Sequence, residues 1–436
     1  MGSGEKLTGT SELRRSLGLG EAVAIGVASM VGAGVFVVWS PAAASAGDLL
    51  PVALVLAALV AWANATSSAQ LAAQYPAAGG TYVYGRERLG PWPGFLAGWS
   101  FVIGKTASVS AMALALAAYL APPAWEKPVA VAAVWALVGI NLLGVSRTAQ
   151  AAKVLATLAL IGIFTALGVG WLGESTVATF GWSDIEGGAY GVLQAAGLLF
   201  FAFAGYARIA TMGEEVRDPE RTIGRAIITA LTIVLVLYAA VGVSLLLLVG
   251  PESLAVSSAP LTLLVAGHPV AAWVLVGGAV AAIAGALLGL LSGIGRTFLA
   301  MAREGDLPRF FAHTHPRTKV PHRIELLVGI VVTIVVLVAD LRGAIGFSSF
   351  GVLLYYFVAN VSAYTQDDAH RRYHRAWQVF GAALCLVLVV TLPWPSIVGG
   401  AVVLLAGASW RVLRQRVALD SLRQKLSLTE RVDRIP

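Results

Sequence analysis

The sequence predicts an all-α integral membrane protein of about twelve transmembrane helices, and three observations predict it. Of 436 residues, 58% are hydrophobic and only 12% charged, about half the charged share of an ordinary soluble domain. Apolar stretches recur along the whole chain at the length a hydrocarbon core about 30 Å thick demands, roughly 20 residues as a helix. The basic residues, finally, are crowded into alternate loops. So much apolar surface cannot be hidden inside a globule of this length and needs lipid as part of its solvent.

Taken in order, the expected spans lie near 19–45, 51–72, 93–120, 128–144, 151–172, 189–211, 225–249, 270–301, 325–340, 344–364, 377–392 and 395–411. The ninth and the last two are short, so eleven or thirteen crossings stay open. With the N-terminus in the cytoplasm, inner segments and the span ends beside them collect nearly all the lysines and arginines, among them Arg14, Arg15, Arg86, Arg88, Arg217, Arg221, Arg225, Arg303, Arg309, Arg317, Lys319, Arg371, Arg372 and Arg375. The outer loops hold Lys127 and Arg342, while Lys105 and Arg208 fall inside spans. This skew is the positive-inside pattern, and it supports the helix count and an orientation with both termini in the cytoplasm; the plasma (inner) membrane is the expected location. The skew also explains the net charge of +7 without nucleic acid, since no basic domain gathers the charges. Trp92, Trp125, Trp171, Trp273, Trp394 and Trp410 fall near span ends, as an interfacial aromatic belt requires. The polar start of the chain reads as a cytoplasmic tail rather than a cleavable leader, and the tail after Arg411 as a basic helix along the cytoplasmic face.

Two spans carry built-in weaknesses. The first reads Ser29-Met30-Val31-Gly32-Ala33-Gly34, and the sixth reads Phe200-Phe201-Ala202-Phe203-Ala204-Gly205-Tyr206. Glycines halfway through a membrane helix weaken it where internal hydrogen bonds matter most, and non-helical backbone at that depth survives only where protein or a cavity covers it. Such glycines also serve close helix packing. Their occurrence in spans one and six, equivalent members of two five-helix halves, favours a binding site of the inverted-repeat kind. Freed N–H groups take a carboxylate and freed carbonyls an ammonium, which together suit a zwitterion.

At these residues the sequence resembles the amino acid–polyamine–organocation (APC) transporter superfamily. Four segments carry the likeness: Val31 to Phe36, Tyr75 to Tyr84, Gly213 to Thr222, and Arg296 to Pro308. The resemblance implies the LeuT-type fold: a cytoplasmic tail (1–17), a five-helix repeat (18–172), an inverted second repeat (189–364), two further helices (375–411) and a basic tail (412–436). It implies alternating access around a midplane site. The cargo carboxylate would meet the amides of Gly32, Ala33 and Gly34. Its amino group would meet carbonyls matching Ser29, Met30, Val31, Phe201, Ala202 and Ala204, with Phe203 closing over it.

The eighth span departs from the sodium-driven pattern, with no hydroxyl from Ala281 to Leu291 and the first at Ser292. A hard cation wants several oxygens, so transport is expected to be sodium-independent, by proton coupling or exchange. Some sodium-independent relatives place a fifth-helix lysine at that position. Here Thr157 aligns with it, and Lys153 lies a turn earlier near the cytoplasmic end. Lys105, near the middle of the third span, is the more telling cation, because an ammonium in hydrocarbon must face a cavity or a partner. It is expected to be a fixed cation or proton-responsive group beside the site, or else a snorkelling residue of a tilted helix. Arg208 either pairs with Glu214 or Glu215 as an inner gate or snorkels from its helix end. With no carboxylate in the middle of any span, uncharged amino acids are the expected cargo. Acidic amino acids, related carboxylates or amines and polyamines are the alternatives. Ser108, Ser110 and the segment Phe347 to Tyr356 either line a side-chain pocket or pack helix on helix.

Other classes fit less well. The six histidines lie in loops without zinc-ligand spacing, so no cofactor, metal or enzymatic activity is expected. Gly104-Lys105-Thr106 lacks the upstream glycine of a phosphate loop. A channel would want a ring of carbonyls or charges, and a non-transporting sensor on the same fold would bind without accumulation.

Overall fold

The computed structural model describes residues 17–32, 34–76, 79–144, 149–173, 188–210, 212, 215–318 and 320–432, excepting the side chains of Ala149, Ala152 and 417–432. The expectations on Ala33, Gly213, Glu214, Lys319 and the tail before Leu17 lie outside the described residues.

Among the described residues each of the twelve apolar stretches is mainly helical. The first span is built of Leu19–Met30, Gly34–Val37 and Trp39–Ala46, and the second is Leu50–Gln74. The third to fifth are Pro91–Leu120, Glu126–Leu142 and Ala149–Leu172. The sixth comprises Gly188–Phe203, a tighter turn at Ala204–Tyr206, and Ala207–Ala210. The seventh to ninth are Pro219–Val249, Pro269–Arg303 and His322–Val338; Leu341–Tyr364, Arg375–Thr391 and Trp394–Val432 complete the set. Nine helices among the described residues are long and apolar enough to cross a membrane. The fourth and ninth spans, at 17 residues each, rise only about 25 Å, and the eleventh is also short. The basic tail does not form a separate helix. It prolongs the twelfth span without interruption to Val432, because 411–432 is rich in Leu, Arg, Gln, Lys and Glu and holds neither Gly nor Pro.

The outside of the bundle is apolar. On the fifth span Val154, Leu158, Ile161 and Phe164 are all exposed, a stripe at helical spacing that suits lipid rather than water. Inside, the first span packs on the seventh and the second on the sixth; the fifth packs on the eighth and the third on the tenth. The pairs second–seventh, third–eighth and fourth–ninth also pack. Moving each helix five places along the chain turns this set of pairs into itself. Its two tightest exchanges are glycine-mediated: a Cβ on Gly351 would lie 2.7 Å from Gly104 Cα, and one on Gly278 would lie 2.6 Å from Leu158 O and 3.3 Å from Gly162 Cα. Backbones approach this closely in membranes only over small residues.

Buried amides add directional contacts between the second and tenth spans. Asn360 Nδ2 donates to Asn64 Oδ1 (2.6 Å), Ser67 Oγ to Asn360 Oδ1 (2.7 Å), and Gln366 Nε2 to Gln74 Oε1 (2.6 Å). At one end of the bundle, two of the charged motifs meet. Tyr82 Oη donates to Asp306 Oδ2 at 2.9 Å, and Arg86 pairs with both Asp306 and Glu304 at 3.2 Å. Burial, followed by the Asp306 carboxylate, pushes the Tyr82 phenol well above its ordinary range, so it remains a donor. Arg411, from the twelfth span, reaches the other oxygen of Asp306, and its guanidinium lies over the rings of Trp92 and Phe95. Arg414 caps the Leu307 carbonyl. One carboxylate thus joins the segment after the second span, the third span, the end of the eighth and the twelfth.

Candidate functional site

The first interruption follows from the sequence directly. Helix Leu19–Met30 closes with the Val31 N–H on the Val27 carbonyl, and helix resumes at Gly34. The sixth span yields less. Phe203 and Ala207 keep right-handed helical dihedrals, and only Ala204–Tyr206 tightens into a 3₁₀ turn, which shifts carbonyls without unwinding the chain.

Glycine brings the two interruptions together. A Cβ at Gly34 would sit 2.4 Å from Ala202 Cα, and one at Gly205 would sit 2.4 Å from Ser29 O and 2.7 Å from Met30 N. Gly32 is pressed against the eighth span, its would-be Cβ 2.5 Å from Ala286 Cβ. Close packing over these glycines thus sets the interruption of span one and the tightened turn of span six backbone to backbone. Met30, Val31, Gly32 and Gly34 are buried, as are Phe201, Ala202, Phe203 and Ala204, while Ser29 and Gly205 are half-buried. Phe203 is fully enclosed, its ring 5.0 Å from that of Tyr238.

Tyr238, in the middle of the seventh span, was not among the expected residues. Its hydroxyl lies 2.7 Å from the Met30 carbonyl and 3.2 Å from that of Ala202, so one donor serves a carbonyl at each interruption. Its only signal in the sequence is a tyrosine in the apolar run from Ile233 to Gly242, since a buried phenol needs a partner. Tyr238→Phe leaves both carbonyls without that donor, and a loss of about 1–3 kcal/mol in stability is expected. Thermal unfolding of the purified protein checks it; an unchanged midpoint would show the hydroxyl to be idle.

Lys105 lies in the same neighbourhood. It is buried, and its Nζ donates to the Ala204 carbonyl at 3.4 Å. Among the described residues no carboxylate comes within salt-bridge range of it. Arg208 pairs with Glu215 at 3.9 Å. The chain just beyond is strapped to the entry of the first span, with Leu17 N–H on Glu215 O at 3.1 Å and Arg217 N–H on Leu17 O at 2.9 Å. Ser108 meets Ser348 across the third–tenth interface at 2.6 Å, and Ser110 bonds the Thr106 carbonyl of its own helix.

Thr157 does not join this constellation. It is exposed on the outer, lipid-like face of the fifth span, and its hydroxyl donates to the Lys153 carbonyl one turn back. The packed face of that helix runs through Ala159, Ile163 and Ala166 instead. Lys153 reaches Glu21 at the entry of the first span, 3.9 Å away. The eighth-span stretch that touches Gly32 offers only apolar side chains, from Ala281 to Leu291.

Comparison with known proteins finds relatives along most of the chain. The amino acid permease family matches residues 17–404. The chain is 52% identical over 405 residues to an uncharacterized transporter of Mycobacterium tuberculosis, covering 91% of each protein. It is 29% identical over 382 residues to the vacuolar cationic amino acid transporter 4 of Arabidopsis thaliana, covering 80% of this chain and 62% of the relative. It is also 25% identical over 434 residues to the branched-chain amino acid permease BcaP of Bacillus subtilis, covering 92% and 93%. With the family's match running nearly end to end over a multi-span, all-α bundle, the chain belongs to the amino acid permease family of the APC superfamily.

Proposed function

We propose that this permease is a sodium-independent secondary transporter that moves amino acids with uncharged side chains across the plasma membrane by alternating access. Two five-helix halves of opposite orientation, 18–172 and 189–364, are followed by two helices, with both termini cytoplasmic. The observation that carries the proposal is the backbone-to-backbone meeting of the two interruptions, at Gly34 with Ala202 and Gly205 with Ser29. The self-exchange of packing pairs under a five-helix shift supports the repeat. The cargo carboxylate goes to the amides around Gly32, Ala33 and Gly34. Its ammonium goes to the carbonyls of spans one and six, displacing the donors that hold them in this structure, Tyr238 on Met30 and Ala202 and Lys105 on Ala204.

Sodium independence rests on the eighth span, which brings an alanine rather than oxygen ligands to Gly32. Lys105 opposes a cationic cargo, since a second positive charge would enter a site that already holds one. The same residue favours a second reading, an acidic amino acid or related carboxylate, because an anionic side chain would supply the charge partner that Lys105 lacks among the described residues.

A thermal-shift screen of purified protein across amino acids and amines, at two pH values, separates these readings, since binding raises apparent stability with affinity and concentration. Stabilisation by diamines or arginine alone would overturn the electrostatic argument. In proteoliposomes, labelled uptake of the best ligand is expected to be unchanged when choline replaces sodium. Lys105→Met is expected to lower that uptake at least tenfold, about 1.4 kcal/mol, and to alter its pH dependence. Wild-type rate and pH profile in the variant would remove Lys105 from the mechanism.

A further inference from the structure

At the end of the bundle that gathers the arginines, a groove of about 510 Å³ opens between the first, second and seventh spans and the loop joining the tenth to the eleventh. Arg221, Arg225 and Arg372 line it, above a floor of Ala69, Gly224 and Ile228. The walls are fixed by the fold. Arg221 and Arg225 stand four residues apart on the first turns of a helix that starts at Pro219, so they share a face. The loop carrying Arg372 is pinned from beneath: the backbone N–H groups of Arg372 and Tyr373 both donate to Oε1 of the fully buried Gln70, at 3.1 and 3.3 Å. The guanidinium lies close over Gly224, where a Cβ would be in ordinary contact with Arg372 Nη1 at 3.6 Å and with Ala69 Cβ at 3.8 Å, so a larger side chain there would reach into the groove.

These three cations differ from four other arginines at this end, and unlike the remaining ones they line one groove together. Arg86, Arg88, Arg371 and Arg411 each face a carboxylate. Arg221, Arg225 and Arg372 have none within salt-bridge range among the described residues, although they converge on one groove. Like charges held together repel, and guanidinium groups pair best with carboxylate or phosphate oxygens. The face below the groove says which anion. Along the seventh span, Thr229 lines the groove one turn beyond Arg225, and the exposed side chains Ile233, Val236 and Val243 continue the row. A cationic head above an apolar strip running into the membrane has the profile of a phospholipid, not of a soluble ion.

We propose that this groove is a binding site for an anionic phospholipid, its phosphate held by Arg221, Arg225 and Arg372 and its acyl chains laid along the seventh span. The test titrates the detergent-purified full chain with phosphatidylglycerol, phosphatidylcholine or inorganic phosphate, reading bound lipid by native mass spectrometry and stability by thermal unfolding. Phosphatidylglycerol is expected to bind and to raise the unfolding midpoint, whereas phosphatidylcholine and phosphate leave it unmoved. The triple variant Arg221→Gln, Arg225→Gln, Arg372→Gln is expected to weaken phosphatidylglycerol binding at least tenfold. Gly224→Leu, which fills the groove but keeps all three charges, should do the same. Arg309→Gln with Arg317→Gln, which removes charge from a different loop, should bind as wild type. Equal stabilisation by inorganic phosphate would make the groove a soluble-anion site and overturn the proposal. So would equal weakening in the Arg309 and Arg317 variant, or full binding in both groove variants.

Discussion

Gly205→Val is expected to abolish uptake, by a factor of about a hundred or more, while Gly293→Ala in the eighth span is expected to transport normally. The difference lies in what each new carbon meets. At Gly293 there is open space, but at Gly205 a Cβ would stand 2.4 Å from the Ser29 carbonyl oxygen, 2.5 Å from its carbon and 2.7 Å from the Met30 nitrogen. These are backbone atoms and cannot rotate aside. Overpacking of this kind costs typically 1–3 kcal/mol in a core, and here the strain is relieved only by parting the two interruptions. A displacement near 1 Å in a positioned site is enough for about a hundredfold loss. Gly205→Ala carries the same Cβ and should already lose most of the activity. Labelled flux in proteoliposomes, with the unfolding midpoint measured alongside, checks both variants. Normal flux in Gly205→Val would mean that the interruptions need not touch for transport.

Asp306→Asn acts on stability instead. Asp306 is the counter-charge of Arg411, and the two side chains are only 7% and 6% exposed. Removing one partner of a buried pair strands the other, at about 3–5 kcal/mol. The same change weakens the contacts to Arg86 and Tyr82, so four elements loosen together. A large fall in unfolding midpoint and a loss of folded protein on extraction are expected. Adding Arg411→Met should recover part of the loss, because an apolar side chain keeps the packing on Trp92 and Phe95 without a charge. A double variant no better than Asp306→Asn alone would place the effect at Arg86 or Tyr82.

Some of this architecture could be read before any coordinates were known, and the residues show why. The first interruption was legible because two glycines two residues apart stand out inside an apolar run, whereas the sixth was overstated. Ala204 and its neighbours can tighten to i→i+3 bonds without leaving the helical region, and nothing in their side chains distinguishes that from a true break. The exposed position of Thr157 was not legible, for a different reason. The fifth span is apolar on nearly every face, so its sequence contains no azimuth and alignment alone decides which way a residue points. The tail after Arg411 was legible as a helix but not as a continuation, since its change from apolar to basic signals a change of solvent rather than of conformation. Tyr238 was missed because its two partners are main-chain carbonyls on other helices, which leave no trace in composition or spacing.

The seventh span, finally, is a single helix of 31 residues from Pro219 to Val249, with no interruption to match those of its neighbours. Arg225, beside the groove, and Tyr238, on the carbonyls of both interruptions, are thirteen residues apart on it, about 20 Å along the axis. A helix without a hinge moves as one piece. A ligand that clamped its charged end would therefore be expected to change the angle at which the Tyr238 hydroxyl meets Met30 and Ala202, a coupling that the Tyr238→Phe variant would break.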